Sequence, residues 1–152
     1  LYDGENFPFK DNYFDYIYST SVLEHVTDLR KVIKEANRVL KQGGKFYISF
    51  PNRLWPRETH SGIWFLSYLP REVASIVTRK IFNKNTIEEW NLHFLNYWTI
   101  KRILVKNKIK FNIIFETESE GIFREILKRT LALFGIHHSA ILRTVMIVLI
   151  KE

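Results

Sequence analysis

Phe14-Asp15-Tyr16-Ile17-Tyr18-Ser19-Thr20, a helical run from Leu29 to Leu40, and then Gly43-Gly44-Lys45-Phe46-Tyr47-Ile48-Ser49-Phe50-Pro51-Asn52 form the stretch that decides the fold. The first run is aromatic and β-branched without strict alternation, which predicts a central strand over 14 to 20, buried on both faces of a parallel sheet. Leu29, Val32, Ile33, Ala36, Val39 and Leu40 recur at helical intervals. Thr27 or Asp28 is the expected N-cap, and Gly43-Gly44 is expected to stop the helix in a left-handed turn. Residues 45 to 50 then read as a second strand. A strand, a helix of this length and a strand make a right-handed crossover, and so a parallel pair within an α/β sheet.

Upstream, Asp3-Gly4 with Glu5, Asn6 and Pro8 is turn chemistry. Downstream, residues 53 to 98 are irregular and aromatic, with Trp55, Trp64, Phe65, Tyr68, Trp90 and Phe94. Within them Leu69-Pro70 opens a predicted helix reaching about Phe82, with Val73, Ile76, Val77 and Ile81 on one face. Thr86-Ile87-Glu88-Glu89 reads as a further helix start. The rest, 99 to 152, reads as a helix from Thr99 to Val105 with Ile100, Ile103 and Leu104 inward, a strand over 110 to 116, a helix over 121 to 134 and a closing strand over 143 to 151. The expected organisation is one domain over 1 to 152: a core over 1 to 52, a helical cap over 53 to 98, and the C-terminal elements.

The chain has 152 residues, is 46% hydrophobic and 15% aromatic, and has no cysteine. That composition is globular, excludes disulfides and thiolate chemistry, and makes the cytoplasm the expected location. Val145 to Ile150 is far shorter than the roughly 20 apolar residues a bilayer-spanning helix needs. The formal charge of +7 lies wholly beyond residue 52, because 1 to 52 hold seven basic and seven acidic residues. A basic C-terminal two thirds suits an anionic partner, such as a phosphate-bearing lipid or an acidic glycan, or a membrane surface. No stacking motif supports nucleic acid.

Asp3 followed by Asn6-Phe7-Pro8-Phe9, Asp11-Asn12 before Phe14-Asp15, Val22-Leu23-Glu24-His25-Val26, Glu35 with Arg38-Val39-Leu40-Lys41, Gly43-Gly44 and Pro51-Asn52 occur in order. With these pieces the chain resembles the C-terminal portion of a class I S-adenosylmethionine-dependent methyltransferase of the type 11 kind. The resemblance implies a Rossmann-like sheet, here from the fourth strand onward with the last strand antiparallel, and S-adenosyl-L-methionine as cofactor. It also implies cofactor contacts: Asp3 to the adenine amino group, the Gly4 amide to a ring nitrogen, Phe7 beside the adenine and the Ser19 carbonyl toward the methionine ammonium. The family's glycine-rich loop and ribose-binding acidic residue have no counterpart in the sequence. That predicts an N-terminally truncated chain, with the missing half of the same domain as its partner.

His60 follows the Pro51-Asn52 strand end and is the expected general base, with His25 at the strand-to-helix turn as the second candidate. Trp55, Arg57, Trp64 and Tyr68 are expected to form a lid over a small, lipid-like or glycan-like acceptor, methylated at oxygen. The histidines at 25, 60, 93, 137 and 138 lack metal-ligand spacing in the chain, so no metal is expected. Two other functions compete: a non-catalytic methyltransferase-like interaction module, and a basic peripheral membrane adaptor.

Overall fold

A computed structural model describes residues 6–115, 131, 133 and 143–152. Four strands, β1 (Phe14–Thr20), β2 (Leu40–Pro51), β3 (Phe111–Phe115) and β4 (Thr144–Lys151), form one sheet in the order β1-β2-β4-β3. β1 and β2 run parallel, and β4 is antiparallel to both β2 and β3. The expected partial sheet with an antiparallel last strand is what the chain forms.

The helix α1 (Leu29–Val39) crosses from β1 to β2. Asp28 caps it by accepting the Lys31 N–H at 3.0 Å, which satisfies one of the orphan donors of the first turn. Val32, Ile33, Ala36 and Val39 are buried against the sheet, as their spacing predicts. Its far end is held from β4, because Lys151 Nζ donates to the Asn37 and Leu40 carbonyls at 2.7 Å each. A cation on the last carbonyls suits the negative end of the helix dipole.

Gly43 and Gly44 play a different part from the one expected. The helix ends at Val39 with an extended Leu40, and the β1–β2 register jumps between Phe14↔Leu40 and Tyr16↔Lys45. Gly43, at φ +72, turns the chain within that irregularity. A Cβ on Gly44 would lie 2.8 Å from the Lys41 carbonyl oxygen and 2.9 Å from Leu40 Cγ. The pair serves the bulge that sets the strand, not the helix cap.

β1 also departs from expectation. In the described sheet it is an edge strand, with Tyr16 55% and Tyr18 71% exposed. Its apolar content reports affinity for burial, but content does not reveal how many neighbours a strand has. Tyr18 covers part of that surface itself by stacking on Tyr47 at 4.6 Å. The main core lies between the sheet and the helices α1 and α4 (Tyr97–Lys106), where Leu23, Ile33, Phe46, Phe50, Ile100 and Leu149 are fully buried.

The cap holds α2 (Arg71–Phe82) and the short α3 (Thr86–Glu89) around a separate cluster of Leu66, Ala74, Ile87 and Leu92. Val73, Ile76 and Ile81 point outward, and the small Ala74 and Thr78 face inward instead. Short side chains let α2 approach α3 closely, which the apolar count alone does not reveal. The cap core is therefore aliphatic, while Trp64, Phe65 and Tyr68 stay exposed. Among the described residues no helix is long and apolar enough to cross a membrane. Most of the helix expected over 121 to 134 lies outside the described residues.

Arg38 fastens the loop before β1. It donates to Glu35 at 2.7 Å, to Asp11 at 2.7 Å, and to the Phe7 and Phe9 carbonyls at 2.9 and 2.8 Å. Glu35 in turn accepts the Phe7 N–H at 3.0 Å. The hydrogen bond from Arg38 holds the Glu35 carboxyl below its ordinary value of 4.5. With the folded value depressed, this clamp stabilises fully above about pH 4.5 and loses its contribution as the pH falls through the folded value. Between about pH 6 and about pH 3 the wild type is expected to lose more thermal stability than Glu35→Gln. Equal losses would show that the clamp contributes nothing.

Candidate active site

The site forms where β1 and β2 end. Beyond Pro51, Asn52 accepts the Leu54 N–H at 3.1 Å and turns the chain. A hairpin follows, bridged between Arg57 and Trp64 and turned at Gly62, whose φ is +73. Glu58 sits inside it, 5% exposed. Its carboxylate accepts the His60 N–H at 2.9 Å, the Ser61 hydroxyl at 2.6 Å and His60 Nδ1 at 3.0 Å. Burial alone would raise this carboxyl, but the bonds from His60 and Ser61 outweigh it and bring the pKa down to about 2. An anionic carboxylate only accepts, so His60 Nδ1 is the donor here, and in the neutral ring Nε2 is the acceptor nitrogen.

The second wall comes from the β1 end. Ser21 takes φ +52, a costly conformation for a residue with a Cβ, and a single 3-10 turn, Leu23–His25, follows. Leu23 anchors that turn in the core, which directs Glu24 inward at 1% exposure. The cap clasps it: the His93 N–H donates to the Glu24 carbonyl at 2.8 Å and Asn91 Nδ2 to the His25 carbonyl at 3.0 Å. His25 Nδ1 lies 2.6 Å from the Trp90 carbonyl. A carbonyl also only accepts, so His25 Nδ1 is the donor here, and in the neutral ring Nε2 is the acceptor nitrogen.

Both Nε2 atoms lie near one carboxyl group. Glu24 Oε1 is 3.9 Å from His25 Nε2 and 4.0 Å from His60 Nε2. The imidazole centroids are 5.2 Å apart, and the Trp90 ring packs edge-on against each, at 6.3 and 5.3 Å. Neither carboxylate oxygen of Glu24 has a hydrogen-bond partner among the described residues. Burial raises the Glu24 carboxyl above its ordinary value, against smaller opposing effects from its backbone and the two histidines.

Two cavities share Glu58 and Thr59 in their linings. A cavity of about 10 Å³ is lined by Glu24, Asn52, Glu58, His60 and His93, among others. A cavity of about 620 Å³ is lined by Trp55, Arg57, Trp64 and Arg143 and shares Glu58 and Thr59 with the first. Its size lies in the range of small-molecule sites.

The fold thus brings His25 and His60 together, from segments far apart in sequence. Trp55, Arg57 and Trp64 share a cavity wall, whereas Tyr68 stands behind it, its hydroxyl donating to the Leu54 carbonyl at 2.8 Å. Phe7 is half-buried against the main core. Ser19 is buried at the carboxyl end of β1, and its hydroxyl has no partner among the described residues. Asp3 and Gly4 lie outside the described residues. Glu24, Glu58 and Trp90 are the residues that sequence reasoning missed. The Glu58-Thr59-His60 spacing signals the His60 partner, but nothing local reveals that Glu24 lacks one. The chain-spacing argument against metal ligands does not carry over to the fold, which gathers Glu24, His25 and His60 with ligand atoms within 4.8 Å of one another.

Comparison with known proteins points in one direction. The methyltransferase domain family matches residues 1–48. The sterol 4-C-methyltransferase of Caenorhabditis elegans is 46% identical over 46 residues, 30% of this chain and 14% of the relative. The ubiquinone/menaquinone biosynthesis C-methyltransferase UbiE of Chromobacterium violaceum is 40% identical over 55 residues, 36% of this chain and 22% of the relative. An uncharacterised protein of Methanocaldococcus jannaschii is 48% identical over 50 residues, 33% of this chain and 24% of the relative. The matched segment thus spans less than a quarter of each of these three relatives. A solved S-adenosylmethionine-dependent methyltransferase of Mesorhizobium loti superposes with TM-score 0.55 at 13% identity, covering 99% of this chain and 67% of the other. A methyltransferase of Thermotoga maritima, described as a possible histamine N-methyltransferase, gives 0.55 at 20% identity, covering 98% and 61%.

Proposed function

We propose that the intact protein, whose chain has the Rossmann-like fold of the class I S-adenosylmethionine-dependent methyltransferases and matches the methyltransferase domain family over residues 1–48, methylates a hydroxyl oxygen of a small lipid-like or glycan-like acceptor. The observation that carries this reading is the pair of cavities that share Glu58 and Thr59, one lined by large aromatic and basic side chains and the other by Glu24 and His60. Two residues support a place for S-adenosylmethionine: Ser19, buried with an unpartnered hydroxyl where open α/β sheets bind ligands, and Phe7, clamped by Glu35 and Arg38. When bound, that cofactor supplies an already activated methyl on a sulfonium.

The chain's task is then alignment and proton removal. Trp55 and Trp64 offer flat apolar surface to the acceptor, while Arg57 and Arg143 suit an anionic group on it. His60 Nε2, oriented by the hydrogen bond between Nδ1 and Glu58, accepts the acceptor's hydroxyl proton. Trp90 packs edge-on against both imidazoles and covers part of the pair. Exposed Ile76, Ile81 and Phe82 beside Arg79 and Lys80 on α2 suit an approach to an anionic lipid surface.

Incubation of the full-length protein with methyl-labelled S-adenosylmethionine and separate lipid and polysaccharide extracts tests the reading. Label in one of these fractions is the expected result, and label in neither would overturn it. Trp64→Ala should raise KM for the acceptor roughly tenfold with kcat little changed, because a flat wall binds ground and transition states alike. A fall in kcat with constant KM would remove Trp64 from the acceptor site.

A further inference from the structure

Glu24 is buried, neither of its carboxyl oxygens has a hydrogen-bond partner among the described residues, and the Nε2 atoms of two imidazoles lie 3.9 and 4.0 Å from Oε1. A buried carboxyl and two imidazole nitrogens gathered within 4.8 Å of one another can share a cation. We infer that Glu24, His25 and His60 form a site for a divalent metal ion of the zinc class. A point equidistant from the three ligand atoms lies about 2.5 Å from each, given spacings of 3.9 Å, 4.0 Å and at most 4.8 Å. Zinc bonds to imidazole nitrogen and carboxylate oxygen run to about 2.0–2.2 Å, so shifts of a few tenths of an ångström complete the set.

The surroundings are those of a metal centre. A ligating histidine donates its other ring N–H to a carboxylate or backbone carbonyl, which fixes its tautomer and orientation. Glu58 does this for His60 and the Trp90 carbonyl for His25. The cavity of about 10 Å³ beside Glu24 and His60 matches one water-sized particle. Two histidines and a carboxylate leave at least one coordination position open, the pattern of sites that meet a substrate. The small cavity beside Glu24 and His60 shares Glu58 and Thr59 with the larger one.

Ion binding itself does not depend on the methyl-transfer reading; only the ion's role does. His60 Nε2 then has alternative roles: proton acceptor in the metal-free protein, as proposed above, and ligand when an ion is bound. An acceptor hydroxyl at the open position gives its proton to solvent. Its oxygen forms the new bond to the methyl carbon as the carbon–sulfur bond breaks, leaving a neutral thioether, with no change of oxidation state.

The test uses full-length protein dialysed against chelator and titrated with Zn²⁺ by calorimetry and with Co²⁺ by visible absorption. One ion per chain and a Co²⁺ spectrum with nitrogen ligation are expected. Glu24→Gln and His60→Ala should each weaken binding more than about hundredfold, and Glu58→Gln about 10–100-fold, as second-sphere changes do. Glu24→Gln should also raise the melting temperature of the metal-free protein, which shows that the variant folds. No binding, or binding that Glu24→Gln and His25→Ala leave unchanged, would overturn the site and leave the three groups around water only. Metal binding without methyl transfer would refute the proposed activity and leave the site standing.

Discussion

Replacing His60 with alanine is expected to slow methyl transfer by about 10²–10⁴-fold, the usual worth of a positioned acid–base group. The side chain is 11% exposed and held at Nδ1 by Glu58, so its Nε2 is presented in one orientation. Alanine removes that atom and leaves the Glu58 turn intact through the His60 and Ser61 backbone N–H groups. The loss should fall equally on kcat and kcat/KM, because the interaction develops with the reaction and not on binding. A merely structural His60 would instead give a lowered melting temperature and a near-normal rate when cooled. A rate within about tenfold of wild type would exclude His60 from the chemistry.

Phe46→Ala is expected to have the largest effect on stability, about 3–5 kcal/mol for an aromatic ring deleted from a packed core. Phe46 is 1% exposed in the middle of β2, with Ile17 and Leu149 as its register partners on either side. The cavity would open between sheet and helices, where rigid strands cannot collapse to fill it. Because whole domains are stable by only about 5–15 kcal/mol, this single change approaches unfolding. Tyr47 is half-buried on the opposite face, stacked on Tyr18, and Tyr47→Ala should cost less than half as much. Urea denaturation of both variants makes the comparison, and equal costs would contradict the assignment of faces.

The crossover was legible because α1 and β2 obey simple periodicities: Val32, Ile33 and Ala36 recur at helical spacing, and the buried Phe46, Ile48 and Phe50 alternate with half-buried neighbours. The use of Gly43 was less legible, since a left-handed residue serves a helix cap and a strand bulge equally well. In α2 the apolar face was misassigned because close packing selects small residues, Ala74 and Thr78, over large ones. At the site, each histidine was visible as a reactive residue following a strand end. Their meeting across Glu24 was not, because it depends on the cap segment Trp90 to His93 folding back onto the 3-10 turn. The unpartnered state of Glu24 is a property of the assembled site alone.

The most direct test of the central claim is the bond that the transferred methyl makes. Full-length protein given ¹³C-methyl S-adenosylmethionine should yield a product whose carbon shift is that of a methyl on oxygen, with the signal lost in His60→Ala. A methyl on carbon, as in the relatives named as C-methyltransferases, or a signal undiminished in that variant, would contradict the account.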